Sequence, residues 1–435
     1  MNLEPQEIRD PKPETRNPKR IVIAPYGSLG DLHPLLALGI ELRERGHDPV
    51  ICTLEVYREK IELLGFEFFP LRPDIDLDDR QQAKEMMDAV KGAERVIKDL
   101  MMANLRPMYE DLTRATEGAD ALISGEIVFA APALAEIKGL KWITTSLAPI
   151  SMMSAYDPSV FPIGQWLGRF RFLGPGFHKF LYSIMRATVR RWYLPYKKFR
   201  RELGLNPKHD PIFDDKGSDL LHLAMFSKVL GKPQPDWHSP TLQSGFCFYD
   251  GGRDLGVMPG GLKEFLDAGE APIVFTLGSA AVMDAGNFFD ESVRAAKKLN
   301  RRAVFLYGVF NEPPEGLDEM RVGFDYAPFS RLFPRAAAVV HQGGVGTTSQ
   351  VLRAGVPHLI MPYGHDQPDN AARCARLGVA RVISRDQYSA ATAAAEIAEL
   401  LSDDRYWKKA EEASRVVRSE HGTRTACDAI EVVLR

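Results

Sequence analysis

The sequence predicts an α/β protein of two doubly wound, mostly parallel-sheet halves that face each other across a central cleft. Three observations carry this. Short apolar runs bounded by turn residues recur along the chain, as buried parallel strands do. Helical stretches separate them, and strand–helix alternation implies an open parallel sheet. The alternation stops over 231–261, where Pro233, Pro235, Pro240, Pro259 and the Gly251-Gly252 pair fall, and then resumes.

Taken in order, residues 1–19 hold Pro5, Pro11, Pro13 and Pro18 and lack an apolar core, so they read as a disordered tail and not as a signal peptide. The first half, 20–235, opens with a strand at 21–24, the glycines Gly27 and Gly30, and a helix from about residue 34 to 45 closed by Gly46. Further strands fall at 50–52, 121–124 and 142–145, with a helix between the last two. A linker is placed at 236–262. The second half, 263–404, has strands at 273–276, followed by Gly278-Ser279, and at 303–307. The run 336–340 leads into a glycine-rich segment, and strands follow at 358–361 and 379–383. The stretch 405–435 is helical and is expected to pack back on the first half.

Composition narrows the function classes. The 435 residues are 45% hydrophobic and 26% charged, ordinary values for a soluble globular protein. A net charge of −3 gives no whole-protein case for nucleic acid. Cys52, Cys247, Cys374 and Cys427 have neither CxxC nor Cys/His spacing, which argues against a zinc site or disulfide framework and suits a reducing, cytoplasmic setting. No apolar run reaches the roughly 18 residues a membrane-spanning helix needs.

The informative segment is 339–348, Val-Val-His-Gln-Gly-Gly-Val-Gly-Thr-Thr, which runs strand, glycine turn, helix. Glycines let the backbone approach a phosphate, and the free amides of a helix N-terminus favour an anion. His341 could donate to a diphosphate oxygen and Thr347 could add a hydroxyl. Such a turn is also common without any ligand. After the next strand comes Gly364-His365-Asp366-Gln367-Pro368 at the same sheet edge. Asp366 and Gln367 suit sugar hydroxyls, or Asp366 simply caps a helix starting near Pro368.

The stretch from Tyr326 to Asn370 resembles the donor-binding signature of the family 1 glycosyltransferases, which have the GT-B fold of two Rossmann-like domains. The His-x-Gly-Gly-x-Gly-Thr-Thr spelling resembles the bacterial branch, with its macrolide, glycopeptide, sterol and rhamnolipid-type members. The resemblance implies a hexosyltransferase that uses a UDP- or dTDP-linked sugar as co-substrate and no further cofactor. It implies that His341, Gly343, Gly344, Gly346 and Thr347 hold the diphosphate, and that Asp366 and Gln367 hold the sugar. Tyr326, beside Ala327, stands where an aromatic stacks on the base, and a flat π face suffices for that. Ser279 matches a phosphate-contacting position. Phe329 and Ser349-Gln350 depart from the common pattern, and the latter leaves UDP against dTDP open.

Residues 27–34, Gly-Ser-Leu-Gly-Asp-Leu-His-Pro, resemble the family's N-terminal loop and put Gly30 and Asp31 opposite the donor. Inverting transfer needs one group to take the acceptor hydroxyl's proton, and the resemblance gives that role to Asp31. Asp31 is equally a natural N-cap for a helix beginning near Pro34. His33 is the second candidate base, and Glu126 could line the cleft but reads better as a surface residue. The Asp-x-Asp run at 74–79 lacks the right context and reads as a solvated acidic loop, so no metal is expected.

Residues 159–201 contain no Asp or Glu, ten Lys and Arg, and eleven aromatics. In the family this region builds the acceptor pocket, which implies a hydrophobic, hydroxyl-bearing acceptor. Peripheral contact with an anionic membrane surface and a core helix with a basic outer face are both open. Two other readings stand beside the transferase: a sugar-nucleotide epimerase of the same fold, which needs no acceptor pocket, and a catalytically silent partner, which would be expected to lose Asp31 or the Asp366-Gln367 pair.

Overall fold

Seven strands form the first sheet: β1 Arg20–Ala24, β2 Asp48–Thr53, β3 Glu67–Pro70, β4 Ala121–Ser124, β5 Lys141–Ser146, β6 His222–Ala224 and β7 Thr241–Gln243. The structure is a computed structural model describing residues 17–76, 79–207, 210–214, 216–250 and 257–435. Tail residues 1–16, Leu77 and Asp78 of the acidic loop, and the Gly251-Gly252 pair lie outside the described residues. The second sheet has six strands: β8 Ile273–Thr276, β9 Ala303–Leu306, β10 Arg321–Phe324, β11 Ala338–His341, β12 His358–Ile360 and β13 Ala380–Val382. Every pairing between these strands is parallel.

Strand order is 3-2-1-4-5-6-7 in the first sheet and 10-9-8-11-12-13 in the second. Each order reverses once, between β1 and β4 and between β8 and β11. In such sheets ligands bind in the crevice at that reversal, beyond the carboxyl ends of the strands. The helices that matter here are α1 Leu29–Glu44, α2 Arg80–Met86, α3 Gly174–Val189, α4 Val345–Ala354, α5 Gln367–Leu377, α6 Asp404–Ser419 and α7 Gly422–Leu434.

The strands form where apolar runs can be covered on both faces. In β8, Ile273 and Phe275 belong to the apolar cluster on one face and Val274 to that on the other. Phe275 stacks on its register partner Phe305 of β9 at 5.0 Å and 7°. Burying such a ring is worth about 2–3 kcal/mol.

Three elements differ from the sequence-based expectation. Helix α1 starts at Leu29 and not near residue 34, because Ser28 is its cap and Pro34 is tolerated within its early turns. The stretch read as pure linker contributes β7, which completes the first sheet. The helical tail is two helices: α6 packs on α4 of the second half, while α7 buries Ala426, Cys427, Ile430 and Leu434 in the core of the first.

The halves share an apolar seam. Met152, Phe226, Leu230 and Phe246 cluster with Leu352, Ile360, Ala371 and Cys374. Helix α2, capped by Asp79 through the Gln81 and Gln82 amides, delivers Met87 into the core of the second half.

Candidate active site

Asp31 sits in the first turn of α1, at the strand-order reversal of the first sheet. Ser28, in extended backbone, accepts the Gly30 amide on Oγ at 3.2 Å. Asp31 Oδ2 accepts the Ser28 amide at 2.8 Å and the Ser28 hydroxyl at 3.1 Å. Asp31 is therefore the third residue of a capping box and not the N-cap. Gly27, at φ +132, is required beside it, since a Cβ there would lie 2.4 Å from Asp31 Oδ2.

The Asp31 carboxyl is half-buried and its pKa is pushed up to about 6. Burial is the main cause; the Ser28 hydrogen bonds oppose it, and the charge of Asp366 in the other half adds to it. His365, also from the second half, acts in the opposite direction. Asp31 and Asp366, from different halves, are thus near enough for each to feel the other's charge.

His33 points elsewhere. Its Nε2 lies 2.7 Å from Lys60 Nζ, its ring lies 4.9 Å from Tyr249, and burial followed by Lys60 pushes its pKa down to about 3. Glu126 corrects the surface reading. It is half-buried just beyond β4, accepts the Leu147 amide at 3.1 Å, and is pushed up to about 7 by burial, with Asp31 among the charges it feels.

The glycine turn after β11 lies at the reversal of the second sheet. Gly343 has φ +89, and a Cβ there would meet Ile360 Cγ2 at 2.8 Å and the Gln367 carbonyl at 3.2 Å. Gly344 is the N-cap of α4. Gly346 packs against Gly30, its Cβ position lying 3.5 Å from the Gly30 Cα, so the N-termini of α1 and α4 abut. Asp366 Oδ2 takes the Val345 amide at 3.0 Å and Asn370 Nδ2 at 2.7 Å. It stands at the N-cap position of α5 but makes no side-chain cap there, so its carboxylate braces the glycine turn instead. The Gly346 and Thr347 amides, in the first turn of α4, have no intrahelical acceptor. Thr347 itself is buried.

His341 departs from the expected diphosphate contact. It is fully buried; its Nδ1 accepts the Gly343 amide at 3.0 Å and its Nε2 meets His358 Nδ1 at 2.8 Å. With Nδ1 accepting, Nε2 carries the proton and donates to His358. Burial, then His358, holds His341 well below the ordinary imidazole range. Both nitrogens are occupied, and the ring shapes the turn from behind.

Gln367 Oε1 accepts the Tyr363 amide at 2.8 Å, which fixes the amide at the head of α5. Ser279 is exposed in the short helical turn Gly278–Ala281 after β8. Tyr326 is 49% exposed beside the fully buried Ala327, near Tyr249 and Asp250 of the linker. Gln342 was missed by the sequence reasoning. It is buried in the crevice between β8 and β11, with Nε2 at 2.4 Å from where a Cβ on Gly278 would lie and with Oε1 lacking a partner. Its position directly after a strand at the reversal was the available signal.

The acceptor-side segment is largely uncovered. The 3-10 helix Gln165–Leu173 buries no residue, and α3 buries only His178. Ile163, Trp166, Phe172 and Phe180 are each more than 60% exposed. No helix among the described residues is long and apolar enough to cross a membrane. The four cysteines are buried and unpaired, as free thiols.

A protein-family profile described as "Erythromycin biosynthesis protein CIII-like, C-terminal domain" matches residues 315–430. O-mycaminosyltylonolide 6-deoxyallosyltransferase of Streptomyces fradiae is 32% identical over 95% of this chain and 97% of its own length. A sterol 3-beta-glucosyltransferase of Neurospora crassa is 27% identical over 97% of this chain but only 28% of its own, longer sequence. Among solved structures, glycosyltransferase VinC in complex with dTDP superposes with a TM-score of 0.64 at 19% identity, over 95% of this chain and 99% of that one.

Proposed function

The chain belongs to the family 1, GT-B-fold nucleotide-sugar glycosyltransferases, and on that footing we propose that it transfers a hexose from a UDP- or dTDP-sugar to a hydroxyl of a lipophilic acceptor. In this reading 20–235 binds the acceptor and 263–404 the donor. The amides of Gly346 and Thr347, with Ser279, receive the diphosphate. Asp366 and Gln367 read the sugar, and Tyr326 covers the base. The observation that carries the reading is the abutment of Gly30 on Gly346, which brings the Asp31 turn against the donor turn.

The chemistry follows from that juxtaposition. The acceptor oxygen forms a bond to the anomeric carbon as the bond from that carbon to the phosphate oxygen breaks on the opposite face, inverting the centre. Asp31 takes the hydroxyl proton as charge leaves the attacking oxygen. The leaving diphosphate is stabilised by the positive end of α4, with no metal needed in this scheme. The epimerase and silent-partner readings are not favoured, since the relatives named above are transferases and Asp31, Asp366 and Gln367 are all present.

For the segment 159–201 we place the exposed apolar side chains against an anionic membrane surface, with Arg169, Arg190 and Arg191 as the attracting charges. The test of the reaction is incubation with UDP- and dTDP-glucose and with phenols, sterols and hydroxy fatty acids. Nucleotide release coupled to a glycosylated product is expected; donor binding without turnover over the whole panel would overturn the reading. Co-sedimentation with phosphatidylserine vesicles should exceed that with phosphatidylcholine alone, and equal binding removes the membrane contact.

A further inference from the structure

Four ionised side chains of alternating sign run across the seam between the halves. Arg171 Nη2 meets Asp157 Oδ1 at 2.6 Å, Asp157 Oδ2 meets Arg373 Nη1 at 2.5 Å, and Arg373 Nε meets Asp369 Oδ2 at 2.7 Å. The buried pair, Asp369 and Arg373, is paired further. Asp369 Oδ1 accepts the Val160 amide at 2.9 Å, and Arg373 also donates to the Leu230 carbonyl at 2.9 Å. Asp369 is fully buried and Arg373 is 3% exposed.

The two ends of this chain of charges belong to different parts of the reaction. Asp157 and Val160 lie on the acceptor-side segment that leads into the uncovered 3-10 helix, and Arg171 lies within that helix. Asp369 and Arg373 lie on α5, within two turns of Asp366 and Gln367 at its head. A buried charge stripped of one partner is strongly unfavourable, so a network whose buried members, Asp369 and Arg373, are paired on every polar atom opens as a unit or stays closed.

Building on the donor and acceptor assignments above, we propose that Asp369 and Arg373 are positioning residues: through Asp157 they lock the acceptor wall 154–171 to the donor-sugar helix, so that this wall moves with the second half although its sequence belongs to the first. The lock sets the distance between the acceptor hydroxyl and the anomeric carbon. Where the wall loosens, water enters in the acceptor's place. Its oxygen then bonds to the anomeric carbon, the bond from that carbon to the phosphate oxygen breaks, the proton goes to Asp31, and free sugar and nucleoside diphosphate result.

The test is the partition between transfer and donor hydrolysis in Asp157→Asn, which keeps the size but removes the charge and sets an N–H donor where one of the two guanidinium groups needs an acceptor. UDP-glucose and dTDP-glucose are the donors, with the phenol and sterol panel as acceptors, and free glucose, glycoside and nucleotide are quantified together. Wild-type turnover, measured first, decides the proposed reaction; the variants decide the lock. The hydrolysis-to-transfer ratio should rise about tenfold and the acceptor KM should rise, while the donor KM stays within about threefold, because misplacement by about an ångström costs rate at the reacting centre and not donor binding. Arg373→Lys should recover part of the ratio relative to Arg373→Ala. Should the position-157 or position-373 variants misfold, Arg171→Gln removes the outermost pair and should shift the ratio in the same direction. A ratio equal to wild type in Asp157→Asn or Arg171→Gln, with transfer and hydrolysis falling together or the melting temperature alone reduced, would overturn the proposal.

Discussion

The turn after β1 and the turn after β11 are built alike, and they face each other, yet they are equipped for opposite charges. Both place a glycine of positive φ between a central strand and a helix N-terminus at the reversal of strand order. In the first, the helix end is filled from within: Ser28 takes the Gly30 amide and Asp31 takes the Ser28 amide, so a carboxylate stands where an anion would otherwise go. In the second, no acid lies in the helix's first turn; Asp366 reaches in from the next loop to occupy only the Val345 amide. A helix N-terminus is thus an anion site only as far as its own side chains leave its amides free.

That contrast can be broken first at its carboxylate. Asp31→Asn should lower transfer by about a hundred- to ten-thousand-fold, the range of a general base, while calorimetric titration with UDP and dTDP shows little change in affinity. Unchanged turnover would remove the base assignment.

The two glycines sharpen it. Gly27→Ala drives a methyl onto the Asp31 carboxylate and should cost transfer about tenfold or more at unchanged diphosphate affinity. Gly343→Ala should do the reverse. It weakens diphosphate binding and costs about 1–3 kcal/mol of stability in denaturant titrations, because its φ and its contacts with Ile360 and the Gln367 carbonyl both resist a side chain. Equal losses of both properties in both variants would erase the distinction.

The pH profile gives a gentler test. Asp31 acts only when ionised and titrates at about 6, so kcat/KM should climb as pH rises towards 6 and level off above it. A profile flat between pH 5 and about 7 would speak against it. The smallest effect is on stability. A carboxyl raised from 3.8 to about 6 in the folded chain stabilises the fold below pH 3.8 and loses that contribution as pH rises through 6. Asp31→Asn should therefore raise the melting temperature by about 2–4 °C at pH 7.5 and leave it unchanged at pH 3.5; an equal shift at both values would assign the effect to packing.

Much of the fold was legible because its central strands are continuous apolar runs. Ile273–Thr276 and Ala121–Ser124 fall at the residues their composition marks. The short outer strands were not: β6 is His222–Ala224, and β7 follows Pro233, Pro235 and Pro240, whose turn character hides it. Within the site, the glycine turn and the Asp366-Gln367 pair stood out, but the use made of them did not. His341 reads as a donor to the diphosphate until His358, brought alongside from the neighbouring strand, takes its other nitrogen. Asp366 reads as a cap until the fold brings it to Val345. The lock at Arg373 joins residues 216 positions apart, and no local pattern signals such a pair.

Helix α7 carries a consequence for how the chain is made. Cys427 and Ile430 are fully buried where α7 packs on α1 and β5, and Arg45, at the end of α1, is clasped by Asp428 and Glu431. The first half therefore cannot close its core when its own strands leave the ribosome. It must wait, incomplete, while the second half is synthesised and folds, reversing the usual order in which the earlier domain finishes first. During that interval the apolar face of α1 is exposed, and a chaperone that shields it would do so for the time it takes to translate the whole of the second sheet.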